Sequence, residues 1–236
     1  MQSPAPALKN RPGVIVIHGG GWIEGAKDQM VERFCVPLVR QDFVVANIEY
    51  RLAGVAAAPA AVIDVLHAAR WFRENANRFK VNPDQILTLG VGAGGHLALM
   101  IAMTPPSAEL GDTIKIAAVL DFAGIADVLD QLNGPHQQPY AWQWIPDQPG
   151  RMDLARRLSP LTYVRKGLPP ILIIHGDADP IVPFDESQRL EQALRSAGDD
   201  SELITIKGGK DAFPSDELAP LWPQIFKWLK KRKITP

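Results

Sequence analysis

The sequence predicts an α/β fold, a mostly parallel central sheet with helices on both faces. Three observations carry this expectation. Short apolar runs, such as residues 14–17, 86–89 and 171–174, have the length of buried strands. Between them lie longer stretches whose apolar residues recur every three or four positions, as Val62, Val65, Leu66, Ala69 and Phe72 do. Glycine- or aspartate-rich turns follow several of the runs, at the strand ends where open parallel sheets place their sites.

The elements follow in order. Strands are expected at 14–17, 43–48, 86–89, 117–120, 171–174 and 202–206. Helices are expected around 27–41, 59–79, 96–103, 187–197 and 218–231. Asn82-Pro83-Asp84 reads as a turn before the third strand. Residues 126–158 have weak periodicity, four prolines and several aromatics, and read as a cap-like insertion over the sheet. Residues 1–12 read as a loose arm rich in Pro and Ala, and 13–236 as one domain.

Composition narrows the function classes. Hydrophobic residues make up 46% and charged residues 22%, with a net charge of −1. Nucleic acid and anionic membranes require a concentrated basic face. The one basic run, Lys230 to Lys233, reads as the solvated end of a helix, where cations suit the dipole. The expected partner is therefore a small molecule. The single cysteine, Cys35, permits no intrachain disulfide and leaves the compartment open. Five scattered histidines show no ligand spacing, so neither metal nor cofactor is expected.

Four strand-end segments carry chemistry. His18-Gly19-Gly20-Gly21-Trp22 offers backbone N–H groups that could hold a developing oxyanion. Gly90-Val91-Gly92-Ala93-Gly94-Gly95 lies between a strand and a helix. It reads either as a dinucleotide fingerprint or as a nucleophile elbow, G-x-S-x-G, without its serine. The dinucleotide reading wants an acidic residue about 20 positions on, and Asp121 comes later than that. His175-Gly176-Asp177-Ala178-Asp179 supplies a carboxylate that could orient an imidazole, or else an Asp-rich turn. Gly208-Gly209-Lys210-Asp211-Ala212-Phe213 would reach back over the elbow, or is a turn itself.

In this order the segments resemble the esterase/lipase branch of the α/β-hydrolase fold, especially small microbial carboxylesterases of the acetyl-, xylan- and feruloyl-esterase kind. The resemblance spans about residues 13–230, starting just before the strand that leads to His18, so the sheet is expected to be shortened at its N-terminal side. It implies an oxyanion hole from Gly20, Gly21 and Ala93, and a triad acid at Asp179. It also implies two departures: the nucleophile position holds Gly92 and the base position holds Asp211. Trp22, Tyr140, Trp142, Trp144, Ile181 and Phe213 are expected to line the substrate pocket, favouring an aromatic or moderately large group.

Glycine has no side chain to acylate, and an aspartate cannot replace a near-neutral imidazole. The reading that follows is a carboxylic-ester hydrolase scaffold, inactivated or redesigned, with weak or no hydrolysis. One alternative is a natural non-hydrolytic binder of a small ester or acid. Another is a redirected enzyme using Asp179 and Asp211 as general acid and base. An edge strand at the shortened side is one that a second copy could cover, giving a homodimer.

Overall fold

The computed structural model describes residues 10–211 and 213–236. Among these residues, six parallel strands form one sheet in the order β2-β1-β3-β4-β5-β6. They are β1 (Arg11–Ile17), β2 (Val44–Ile48), β3 (Val81–Val91), β4 (Val119–Phe122), β5 (Ile171–Gly176) and β6 (Ser201–Ile206). From β1, inside the sheet, the chain runs outward to β2, returns across β1 to β3 and continues to β6. Strand order thus reverses between β1 and β3, and the loops leaving these two strands flank the switch point.

Alternation along each strand feeds two cores. Ile15 and Ile17 point to one face, and Val14 and Val16 to the other. The first face is covered by α2 (Ala60–Glu74), α4 (Ala93–Met103) and α8 (Phe184–Ala197). The second is covered by α1 (Val36–Arg40) and α10 (Trp222–Lys231), with Leu38, Ile225 and Trp228 buried there. α4 is buried nearly all round, which suits a helix wedged between the sheet and α2.

Several boundaries differ from the sequence expectation for visible reasons. β1 already includes Arg11 and Pro12, so these two are not part of a loose arm; residues 1–9 of that arm lie outside the described residues. The Asn82-Pro83-Asp84 turn exists, with Asn82 Oδ1 accepting from the Asp84 N–H. It sits within β3 as a bulge, since Arg11 pairs with Val81 while Gly13 pairs with Ile86. β4 runs two residues further than expected, carrying the buried Asp121. The 59–79 stretch breaks at Asn75 into α2 and α3 (Ala76–Phe79).

The cap-like insertion is three short helices: α5 (Val128–Asn133), α6 (Pro139–Trp144) and α7 (Arg151–Arg157). Near the C-terminus, α9 (Ser215–Leu218) precedes α10. Among the described residues, no helix is long and apolar enough to cross a membrane.

Candidate active site

A pocket of about 320 Å³ opens at the C-terminal ends of β1, β3, β4 and β5. Its lining includes Gly20 and Gly21 from the loop after β1, Gly92 and Ala93 after β3, Asp179 and Ile181 after β5, Asp211 after β6, and Tyr140 from the cap. All four sequence motifs therefore meet in one cavity. A larger depression of about 690 Å³, lined by Thr104, Lys115 and Arg165 among others, lies where strands β3 to β5 begin. It is remote from every one of the four motifs.

The turn between β3 and α4 is sharp. Gly92 adopts φ 55 and ψ −116, a conformation L side chains rarely take. Its N–H donates to Phe122 O at 2.8 Å, and its carbonyl accepts from His96 N at 2.9 Å. The neighbouring glycines are forced by crowding. A Cβ on Gly90 would lie 2.0 Å from Gly94 O, and one on Gly94 would lie 2.2 Å from Ile17 O. At Gly92 a Cβ would meet nothing within 4 Å among the described residues. The glycine at 92 is thus not demanded by space, and the position looks into the pocket that it lines. Ala93 is the first residue of α4, where backbone N–H groups lack intrahelical partners.

The loop after β1 is held from both sides. Beneath it, His18 stacks on Tyr50 with ring centroids 4.4 Å apart, and the Tyr50 hydroxyl donates to the His18 and Gly19 carbonyls. Burial depresses the His18 pKa. Above, Trp22 stacks on Trp144 at 4.0 Å. The Trp22 indole N–H donates to His96 Nδ1 at 3.1 Å, and His96 Nε2 donates to Leu158 O at 2.7 Å. Both partners fix the tautomer, and burial pushes the His96 pKa down to about 4. His96 thereby ties the glycine loop, the start of α4 and the segment after α7 together, which its position in the sequence alone does not disclose.

Asp179 is held just as tightly. Its Oδ1 accepts from the N–H groups of Ile181 (2.7 Å) and Val182 (2.9 Å). Its Oδ2 lies 3.1 Å from His175 Nε2, and both side chains are fully buried. His175 Nε2 also faces the Val182 carbonyl at 3.1 Å, so this nitrogen carries the proton and Nδ1 accepts from the Ser187 hydroxyl at 2.7 Å. Asp211, by contrast, is exposed and has no hydrogen-bond or ion-pair partner among the described residues.

The expected aromatic wall is corrected. Trp22, Trp144 and Phe213 have no exposed surface and do not line the pocket. Trp22 and Trp144 face each other in the core, and Phe213 packs edge-on against Phe122 on the opposite face of the sheet. Trp142 is 48% exposed and outside the pocket, its indole N–H donating to Leu132 O. A single turn of α6 faces Tyr140 and Trp144 inward and leaves Trp142 outward. Tyr140 and Ile181 do line the cavity.

Sequence reasoning missed Ile23, Glu24, Ala123, Ile125, Gln138 and Val182, which complete the lining. Ala123 and Ile125 directly follow β4, so a strand-end position was the signal available. It also missed the support of Tyr140, whose hydroxyl donates to Gln131 Oε1 at 2.5 Å while Gln131 donates to Glu186 at 2.7 Å. Burial pushes the Glu186 carboxyl up to about 7, against the pull of the Asp127, Gln131 and Ala126 donors. Behind the turn, burial likewise pushes Asp121 up to about 7. Among the described residues no group of three or more His, Cys, Asp or Glu could hold a metal ion.

This family and fold recur among known esterases. The BD-FAE family model matches residues 1–194. The esterase LipQ of Mycobacterium tuberculosis is 29% identical over 202 residues, covering 80% of this chain and 47% of that protein. The isoprenylcysteine alpha-carbonyl methylesterase ICME of Arabidopsis thaliana is 24% identical over 255 residues, covering 96% of this chain and 59% of that protein. The chain spans about half the length of the curated relatives it matches. Among solved structures, the thermophilic esterase Est2 of Thermogutta terrifontis with butyrate bound superposes with a TM-score of 0.82 at 25% identity, over 99% of this chain and 87% of that one.

Proposed function

The chain belongs to the BD-FAE family of α/β-hydrolase esterases, and from that premise we propose that its strand-end pocket binds a short-chain carboxylic ester, or the acid, without the nucleophile and base of acyl-enzyme turnover. The observation that carries this reading is Gly92. It keeps the positive-φ backbone of an elbow while nothing among the described residues stands within 4 Å of the missing Cβ. In this reading the backbone N–H groups of Gly20, Gly21 and Ala93 receive the carbonyl oxygen. Asp179 keeps the place of the triad acid, and Asp211 stands where the base would be. A carboxylate there brings no N–H to bond Asp179.

Cavity size supports a small acyl group. About 320 Å³ sits at the lower end of ordinary ligand sites, roughly 300–1,000 Å³. With three of the expected aromatics in the core and Trp142 outside the pocket, the case for an aromatic or large substrate loses its support. The butyrate held by Est2 is of the matching size class. The alternative of an acid/base pair finds no support. Asp179 already receives two backbone donors and faces His175, and Asp211 is bonded to nothing described. Both substrate and lost turnover are tested by one double variant, Gly92→Ser with Asp211→His. It is expected to gain about 10³-fold or more in kcat/KM on butyrate aryl esters, given that a serine and its base act as a unit worth roughly 10⁶ in kcat in a serine protease. A folded but inert double variant overturns the reading. Calorimetry of the unaltered chain with butyrate should show saturable binding at millimolar concentration, and none would remove the ligand class.

A further inference from the structure

We propose that this pocket transfers an acyl group directly from a bound short-chain ester to a small external nucleophile seated above Gly92, with no covalent enzyme intermediate. The proposal rests on the ester-binding reading above, and adds a second substrate and a reaction. Its ground is the contrast among the glycines of one turn. At Gly90 and Gly94 an added Cβ would strike backbone oxygens at 2.0 and 2.2 Å, whereas at Gly92 it meets nothing within 4 Å among the described residues. Within this turn the free space therefore lies at Gly92, where a serine's two side-chain heavy atoms would project. It opens on a cavity lined by Gly20, Gly21 and Ala93. A molecule of two or three heavy atoms placed there occupies the attack position opposite the proposed oxyanion donors.

The chemistry balances without any redox partner. The lone pair of a small amine such as hydroxylamine forms a C–N bond to the ester carbonyl carbon. The carbonyl π electrons move onto oxygen, where the backbone N–H groups receive them. Collapse breaks the ester C–O bond. The proton shed by nitrogen passes to the leaving alkoxide, and the carboxylate of Asp211, exposed on the same pocket and unpartnered among the described residues, is placed to carry it. The products are a hydroxamic acid and an alcohol. Water can follow the same path to the carboxylic acid, more slowly, because it needs a base before it attacks, whereas hydroxylamine is nucleophilic while neutral. The external nucleophile forfeits the effective molarity of a tethered one, so the rate should stay linear in its concentration.

The test is hydroxamate formation from phenyl butyrate and hydroxylamine at neutral pH. The expected rate is about 10²-fold above the protein-free reaction, the lower end of what an oxyanion donor contributes. It should saturate in ester, rise linearly with hydroxylamine and be suppressed by butyrate. Gly92→Val should return it to the protein-free rate. Since a branched residue at positive φ can unfold the turn, nucleophile size supplies an independent arm: N-benzylhydroxylamine should gain nothing over its protein-free rate. A hydroxamate rate equal to the protein-free rate, with butyrate still bound by calorimetry, overturns direct transfer and leaves the binding reading intact. Acylated protein seen by mass spectrometry during turnover also overturns it. Failure of butyrate binding together with an inert Gly92→Ser/Asp211→His variant would instead strike the ester-binding reading itself.

Discussion

The two walls of the pocket are built on different terms. On the oxyanion side, Trp22, His96 and Trp144 have no exposed surface, and both His96 nitrogens and the Trp22 N–H are bonded. On the nucleophile side, Gly92 faces open space and Asp211 is exposed and unbonded among the described residues. The first wall is part of the hydrophobic core, and the second is not. Hence the His-Gly-Gly-Gly-Trp and Gly-Gly-His segments are kept by packing whether or not chemistry takes place beside them. Their presence reports the scaffold, while the catalytic question is decided at two positions that packing leaves free.

If that contrast holds, function should be gained on the open wall and stability lost on the closed one. The largest effect is the return of ester hydrolysis in Gly92→Ser/Asp211→His. Either change alone should recover little of it, because nucleophile and base act together. Comparable gains from one change alone would show that the open wall holds a base or nucleophile of its own. Next comes Trp144→Ala, which removes the ring stacked on Trp22. We expect a loss of about 3–4 kcal/mol in urea unfolding, together with weaker butyrate binding. A loss under about 1 kcal/mol would mean that the cap does not hold the glycine loop.

A third effect is pH-dependent. The fall of the His96 pKa from 6.5 to about 4 is worth about 3–4 kcal/mol at roughly 1.4 kcal/mol per unit. The folded state keeps this ring neutral while the unfolded chain protonates it. Its contribution is therefore complete above pH 6.5 and is lost as pH falls toward 4. Asp121 and Glu186, both raised to about 7 by burial, act in the opposite sense, and their stability is lost as pH rises from about 4 toward 7. Comparing unfolding of the parent and His96→Gln across this range cancels the carboxyl terms. The difference should shrink as pH falls, and a constant difference would refute the burial cause.

The same division explains what the sequence could disclose. The succession of six strands and the meeting of four motifs were legible, because the first depends on local periodicity and the second on the rule that sites gather at strand ends. Gly92 and Asp211 were legible as departures from a pattern. The aromatic wall was not. Trp22 adjoins the oxyanion glycines, but its ring turns away to His96, 74 residues distant in sequence. Tyr140 was found, yet its tether runs through Gln131 to Glu186, 55 residues on. Large aromatics near a motif are read as lining, while the strongest drive on such a ring is burial.

The smallest effect tests the open wall by its silence. Asp211→Asn removes a charge that is exposed and unpartnered among the described residues, so stability should change by no more than about 0.5 kcal/mol. Asparagine keeps the shape and removes the proton acceptor. If Asp211 carries the proton in acyl transfer, the hydroxamate rate should fall severalfold while butyrate affinity holds or rises, because a negative charge has left the mouth of an acid-binding pocket. Equal rates would remove Asp211 from the transfer and hand the proton to solvent. A stability change beyond about 1 kcal/mol would show that the two walls are coupled, and the division between packing and chemistry would have to be redrawn.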